Sequence, residues 1–160
     1  MAISPSDIVF YESTSGLGGA KTGSAITSAQ LHNLFDVVTG AESTAGDIEY
    51  RCFYVENTNA TDTLTTSGIY IQTNTPSTDT NVEIGLDPAG NGGTAVTIAN
   101  ESTSPAGVTF NEPGSGSPLS LGDLAPGEFY AVWVKRTVDS AAGAFNNDSV
   151  ILRVTGDSPA

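Results

Sequence analysis

IEYRCFYVENT, running from Ile48 to Thr58, decides the fold class of this chain. Its aromatic and β-branched residues fall on both parities of the run, so a strand here carries apolar side chains on both faces before stopping in a polar turn. Such a strand lies in the middle of a sheet that is covered on both sides. A second one, FYAVWVKRTV from Phe129 to Val138, sets Val132 and Val134 against Phe129, Ala131 and Trp133 on the opposite face. It belongs centrally too.

Outward from these two, further strands read at Leu64 to Gln72, Asn81 to Leu86, Ala95 to Ala99, Val108 to Phe110 and Ser149 to Thr155. Period-two alternation is clear at Ile69 and Ile71, at Val82, Ile84 and Leu86, and at Val150, Leu152 and Val154. Between strands sit TNTPSTDTN, DPAGNGG, STSPAG and EPGSGSP, where Pro presets φ for a turn and Gly supplies positive φ. Short strands at fairly even spacing predict an all-β fold, a two-sheet antiparallel β-sandwich of immunoglobulin-like or jelly-roll kind. The sandwich is expected over residues 47–160, preceded by an N-terminal arm over residues 1–46.

That arm has its own pattern. Asp7 to Glu12 reads as a short strand, and Ser13 to Ser24 as an extended or flexible Gly/Ser/Thr stretch. Leu31, Leu34, Phe35 and Val38 then recur at three- and four-residue intervals, with Thr27 or Ser28 as cap and Gly40 as stop. The spacing predicts one short amphipathic helix whose apolar face docks on the sandwich or on another subunit.

Only 14% of the residues are charged, and five basic against eighteen acidic residues leave a net charge of −13. Such a surface is repelled by phosphate backbones, which argues against nucleic-acid binding, and it favours basic partner surfaces. Cys52 is the single cysteine, so no internal disulfide and no Cys/His zinc cluster is expected, and its place in the strongest strand predicts a buried small hydrophobe. No window reaches membrane-spanning length and no secretory leader opens the chain, so synthesis and folding in the cytosol are expected. Sequons at Asn59, Asn100 and Asn147 are chance products of an Asn/Ser/Thr-rich composition.

Chemistry-bearing patterns are few. GLGGAKT at Gly16 to Thr22 mimics a phosphate loop, but Ala20 stands where glycine must precede the lysine, and Gly23 and Ser24 follow where a helix should begin. His32 is the only histidine and lacks a nucleophile motif to serve, so it reads as a helix-surface residue. Asp79, Asp87, Asp123, Asp139 and Asp148 fall in turns without a calcium-loop pattern, which makes Asx-turn chemistry the plainer reading. A sugar platform would have to draw on Trp133 or an exposed tyrosine. Arg51, Lys135, Arg136 and Arg153 fall in strands, where they either pair with acids or offset like-charge repulsion within the sheet. No cofactor or metal is expected, and the chain does not read as an enzyme.

Several segments resemble, in the same order, small virion structural proteins of tailed bacteriophages. They are IVFY at Ile8 to Tyr11, LHNLFD at Leu31 to Asp36, ESTAGDIEYRC at Glu42 to Cys52, VEIGLDPAG at Val82 to Gly90, GDLAPGEFYAVWVKRTV at Gly122 to Val138 and NNDSVILRVTGD at Asn146 to Asp157. None is a catalytic motif. The resemblance implies a capsid decoration or cement protein, an outer-surface component of the virion that braces the major capsid protein lattice, with the major capsid protein and further copies of itself as partners in a homo-oligomeric array. Alternatives of the same origin are a tail, collar or baseplate component, or a receptor- or glycan-binding module. The expected interface is the arm strand, Ile8, Val9, Phe10 and Tyr11, together with the helix face, Leu31, Leu34 and Phe35.

Overall fold

Ten strands, one short α-helix and two single-turn 3-10 helices make up the fold in the computed structural model, which describes residues 2–159. In chain order the strands and the α-helix are β1 (Ile8–Ser13), β2 (Gly18–Gly19), β3 (Lys21–Ala25), α1 (Gly40–Ala45), β4 (Asp47–Asn57), β5 (Leu64–Thr73), β6 (Thr80–Leu86), β7 (Ala95–Thr97), β8 (Leu119–Leu124), β9 (Phe129–Val138) and β10 (Ile151–Asp157). All pairings are antiparallel. One sheet has five strands in the order β3-β1-β4-β9-β6, a second has three in the order β10-β5-β8, and β2 and β7 form a two-stranded ribbon. The protein is thus mostly β, as its alternation and turn chemistry predict.

β4 and β9 hold the centre. They pair without a register break from Asp47 opposite Val138 to Glu56 opposite Phe129. Because side chains alternate across a strand, this register divides their apolar residues between two cores. Phe53, Val55, Val132 and Val134 join Leu64, Ile69, Leu121 and Leu124 of the three-stranded sheet and Val82 and Ile84 of β6 in one cluster. Cys52, Tyr54, Ala131 and Trp133 point the other way, onto Ala95 and Ile98. The two-faced reading of both central strands therefore holds residue by residue.

The second face is covered by loop and ribbon. Gly85 of β6 makes this possible: a Cβ there would lie 2.5 Å from Val108 Cγ1 and 2.6 Å from the Thr109 carbonyl oxygen. Only glycine lets the 108–109 backbone settle that close to the sheet. This segment is not the strand expected at Val108 to Phe110; it makes a single bridge, Ile84 with Asn111, while Val108 and Phe110 pack against the second core. Conversely, β8 forms where the sequence pattern predicts no strand. Leu119 and Leu121 alternate, but Gly122 and Asp123 interrupt the pattern before Leu124 returns to the core.

Two expectations for the N-terminal segment are corrected. First, β1 is no detached arm: it pairs with β4 from Ile8 opposite Asn57 to Glu12 opposite Phe53, and with β3 on its other side. Second, the helix expected from Thr27 to Val38 does not form; the stretch is a run of turns in which Ala29 and His32 adopt positive φ of 60° and 56°. An isolated helix of about three turns is marginal in water, so tertiary contacts decide. Here Leu34 and Phe35 pack on the first core, and the Asn33 amide donates to the Thr27 carbonyl at 2.9 Å, a local bond that competes with helix. The helix forms one step later as α1, where Thr39 caps the Glu42 amide and the Glu42 carboxylate receives the Thr39 N–H.

Candidate functional site

The densest charge constellation lies where β4 begins and β9 ends. Glu49 and Arg136 are directly opposed across the two strands. Glu49 is buried and receives Arg136 Nε at 2.6 Å and Nη2 of the same guanidinium, a two-pronged, charge-assisted pair. Burial pushes the Glu49 carboxyl above its usual range even against the opposing pull of the Arg136 charge. Two residues along β4, Arg51 donates to Glu101. Both guanidinium groups also come within 3.8 Å of Asp36.

Three carboxylates, Asp36, Glu49 and Glu101, thereby gather with oxygens within 4.8 Å of one another. A hard cation needs six or more oxygens around one point, whereas here two arginines already supply the compensating charge. The arrangement is mechanical instead. Phe35 lies against both guanidinium groups, 4.7 Å from Arg136 and 5.6 Å from Arg51, and the Asp36 carbonyl accepts Arg136 Nη1 at 2.9 Å. Arg51 and Arg136 thus fasten the turn-rich 26–39 segment to the sheet.

A cavity of about 310 Å³ adjoins this network, lined by Glu12, Ser15, His32, Asn33, Arg51 and Cys52 among others. Cys52 and His32 share it, the pairing that a thiol nucleophile would need. The thiol is unsuited to nucleophilic attack, because Cys52 is fully buried and burial pushes its pKa up to about 12.

Asp87 is the other polar centre. Its carboxylate accepts Trp133 Nε1 at 2.8 Å, Val96 N at 3.0 Å and Ala89 N at 2.9 Å. The last is the Asx turn expected of it; the other two join the DPAGNGG turn to β9 and to the β2–β7 ribbon. Trp133 is fully buried, so it offers no platform for a sugar. Tyr54 completes the ribbon's attachment, donating to the Gly19 carbonyl and accepting from Ala95 N at 2.9 Å, with its phenol pushed up by burial.

Of the strand cations, Arg51, Lys135 and Arg136 pair with acids of this chain, whereas Arg153 is exposed and makes no ion pair among the described residues. Lys135 meets Glu83 at 2.5 Å and Lys21 meets Glu56 at 2.8 Å, alongside the arginine pairs. Asp79 and Asp148, expected as turn acids, accept Gly143 N at 2.9 Å and Ser77 N at 3.3 Å. Asp123 accepts Thr66 N at 2.9 Å.

The expected interface residues separate into two groups. Ile8, Phe10, Leu34 and Phe35 converge on the first core, with Phe10 and Phe53 rings 5.0 Å apart; Tyr11 packs against the second core, under the Lys21 ammonium at 4.3 Å, and Val9 is half-buried opposite Glu56. Leu31 alone is well exposed, at 66%. Val37, Ile48, Phe145 and Ile151 are exposed as well and were not singled out from the sequence. Phe145 carried a signal, as a lone aromatic in the small and polar run AAGAFNND.

No family model, curated protein or solved structure matches the chain. Among the described residues, no helix is long and apolar enough to cross a membrane.

Proposed function

We propose that this chain is a structural protein of a tailed-bacteriophage particle, a capsid decoration or cement protein that braces the major capsid protein lattice from the outer surface. The observation that carries the reading is where the resembling segments fall. ESTAGDIEYRC, VEIGLDPAG and GDLAPGEFYAVWVKRTV supply most of β4, β6 and β9, which are neighbours in one sheet, and Asp87 of the second segment receives the indole of Trp133 in the third. The likeness thus follows a load-transmitting framework, in keeping with a role that consists of burying area against neighbours.

Within that reading the two larger sheets form a β-sandwich. From β4 onward, leaving aside the short β7, each successive strand lies in the other sheet: β4, β6 and β9 in the five-stranded one, β5, β8 and β10 in the three-stranded one. An immunoglobulin-like sandwich contains same-sheet hairpins, so this alternation favours a jelly-roll. A bracing protein performs no chemistry; an interface on the order of 1,000 Å² per copy, repeated with the shell's symmetry, suffices. The acidic exterior suits contact with basic protein surfaces and avoids the packaged nucleic acid.

Mass spectrometry of purified particles, with copy number set against the major capsid protein, tests the role. A copy number approaching that of the capsid subunits is the expected result. A far smaller number assigns the chain to the tail, collar or baseplate, and absence from the particle overturns the virion role.

A further inference from the structure

β10 lies at the edge of the three-stranded sheet, and none of its residues is buried. Leu152 and Val154 reach the first core, so by strand alternation Arg153, Thr155 and Asp157 share the outer face. One side of the strand bonds β5. Among the described residues no other segment hydrogen-bonds the β10 backbone, and the side-chain bond to the Asp157 carbonyl also comes from β5, from Thr65. Alternate N–H and C=O groups along the far side therefore face solvent. The other sheet edges are blunted. β3 shifts register against β1, Ile84 of β6 exchanges both backbone bonds with Asn111, and β8 slips register against β5 and holds Gly122 at φ 74°. In the β10 pairing the extra residues fall on β5, which passes from Thr73 to Ile71 while β10 advances from Ile151 to Leu152, and from Gly68 to Thr65 while β10 advances from Thr155 to Asp157. The outer strand itself stays regular.

We infer that β10 pairs edge to edge, antiparallel, with β10 of a second copy of this chain, so that two three-stranded sheets run on as one. Charge selects both the occupant and the register. With Thr155 on the two-fold axis, Thr155 faces its own counterpart and Arg153 of each copy lies opposite Asp157 of the other. Thr–Thr and opposite-charge pairs are among the cross-strand neighbours that stabilise a sheet. Both charges are available for this. Arg153 makes no ion pair among the described residues, and the Asp157 carboxylate receives the Thr66 hydroxyl, which leaves it room for a guanidinium. The paired stretch ends at Asp157, because the Ile3 amide takes Ser158 Oγ at 2.7 Å just beyond it. The net charge of −13 opposes association, but exposed charges more than ~8 Å apart are largely screened at physiological salt. The pairing stands independently of the proposed virion role.

The test is sedimentation velocity of the purified chain over a concentration series. An edge contact is small, so a reversible dimer with Kd on the order of 10–100 μM is expected of the wild type. Arg153→Glu sets like charges opposite each other at an exposed position; it keeps the wild-type unfolding midpoint and dimerises at least about tenfold more weakly. Arg153→Glu/Asp157→Arg reverses both charges and restores the dimer. Hydrogen exchange in the unaltered chain gives a reading that needs no variant: amides of residues 153–157 that face away from β5 gain protection as concentration rises. A wild-type chain that stays monomeric up to about 1 mM overturns the edge pairing. So does a dimer that leaves these amides unprotected. A dimer that protects them yet withstands Arg153→Glu overturns the charge-selected register.

Discussion

The indole N–H of Trp133 donates to the carboxylate of Asp87 at 2.8 Å, so the centre of β9 is tied to the turn that follows β6. Both residues are buried, and Val96 and Ala89 amides converge on the same carboxylate. One acid thus accepts the buried indole, the half-buried Val96 amide and the Ala89 amide of an exposed turn. Removing it strands the indole and leaves the Val96 amide poorly satisfied, while water can replace the bond to Ala89.

Asp87→Ala is therefore expected to destabilise the protein by about 2 kcal/mol or more in urea unfolding, at roughly 1 kcal/mol or more for each of the Trp133 and Val96 donors. Hydrogen exchange should localise the damage: the amide of Val96 loses protection while those of Phe53 and Val132 keep theirs. An unchanged midpoint would mean that water replaces the carboxylate and that Asp87 is not a structural centre.

Arg136→Met leaves the buried Glu49 carboxylate without its partner and is expected to cost about 3 kcal/mol. Glu49→Leu/Arg136→Met removes both charges and should recover most of that loss, since apolar groups can replace a buried pair at little cost. The recovery depends on pH. Burial raises the folded-state pKa of Glu49 above 4.5, so the folded state holds the proton more tightly and wild-type stability falls as pH rises through that window. Relative to wild type, the double variant gains stability upward from pH 4.5.

Asp7 has the opposite sign. Its carboxylate accepts Ser4 N at 2.8 Å and Asn59 Nδ2 at 3.1 Å, and these bonds hold its pKa below 3.8. The stabilisation is complete above pH 3.8 and is lost as pH falls through the lowered folded-state value. Asp7→Asn should reduce the thermal midpoint near neutrality, with the gap closing in more acidic buffer. A gap independent of pH would assign the effect to shape and not to charge.

Cys52 should resist a thiol reagent at pH 8 in the native protein, because its pKa near 12 keeps the thiol protonated and the side chain has no exposure. In urea the labelling rate should rise with the unfolded fraction. Rapid native labelling would show that the cavity shared with His32 opens to the thiol.

Gly85→Ala sets a Cβ 2.6 Å from a backbone oxygen that cannot rotate away, and is expected to cost about 1–3 kcal/mol. The same change at Gly23, where nothing lies within 4 Å, should be close to neutral by urea unfolding.

What the sequence determined by itself was the set of strands whose side-chain parity is unambiguous. Two-sided apolar runs such as those around Phe53 and Trp133 are compatible only with a central strand, β5, β6 and β10 follow from alternation between turn residues, and β1 from its short apolar run Ile8 to Tyr11. The helical spacing of Leu31, Leu34 and Phe35 points to a helix that does not form, while the helix that does form begins at Gly40, read from the sequence as a stop. That spacing was misleading because a period in sequence reports which residues seek burial and not the backbone that delivers them. Leu34 and Phe35 reach the core from turns, held by arginines that lie far along the chain. Only the tertiary structure decided the rest: that Asp87 collects the Trp133 indole, that Gly85 admits a loop, and that Arg136 meets Glu49 across two strands. Each depends on register between segments distant in sequence, and register is fixed by the simultaneous packing of both faces of the central strands, which no local window contains.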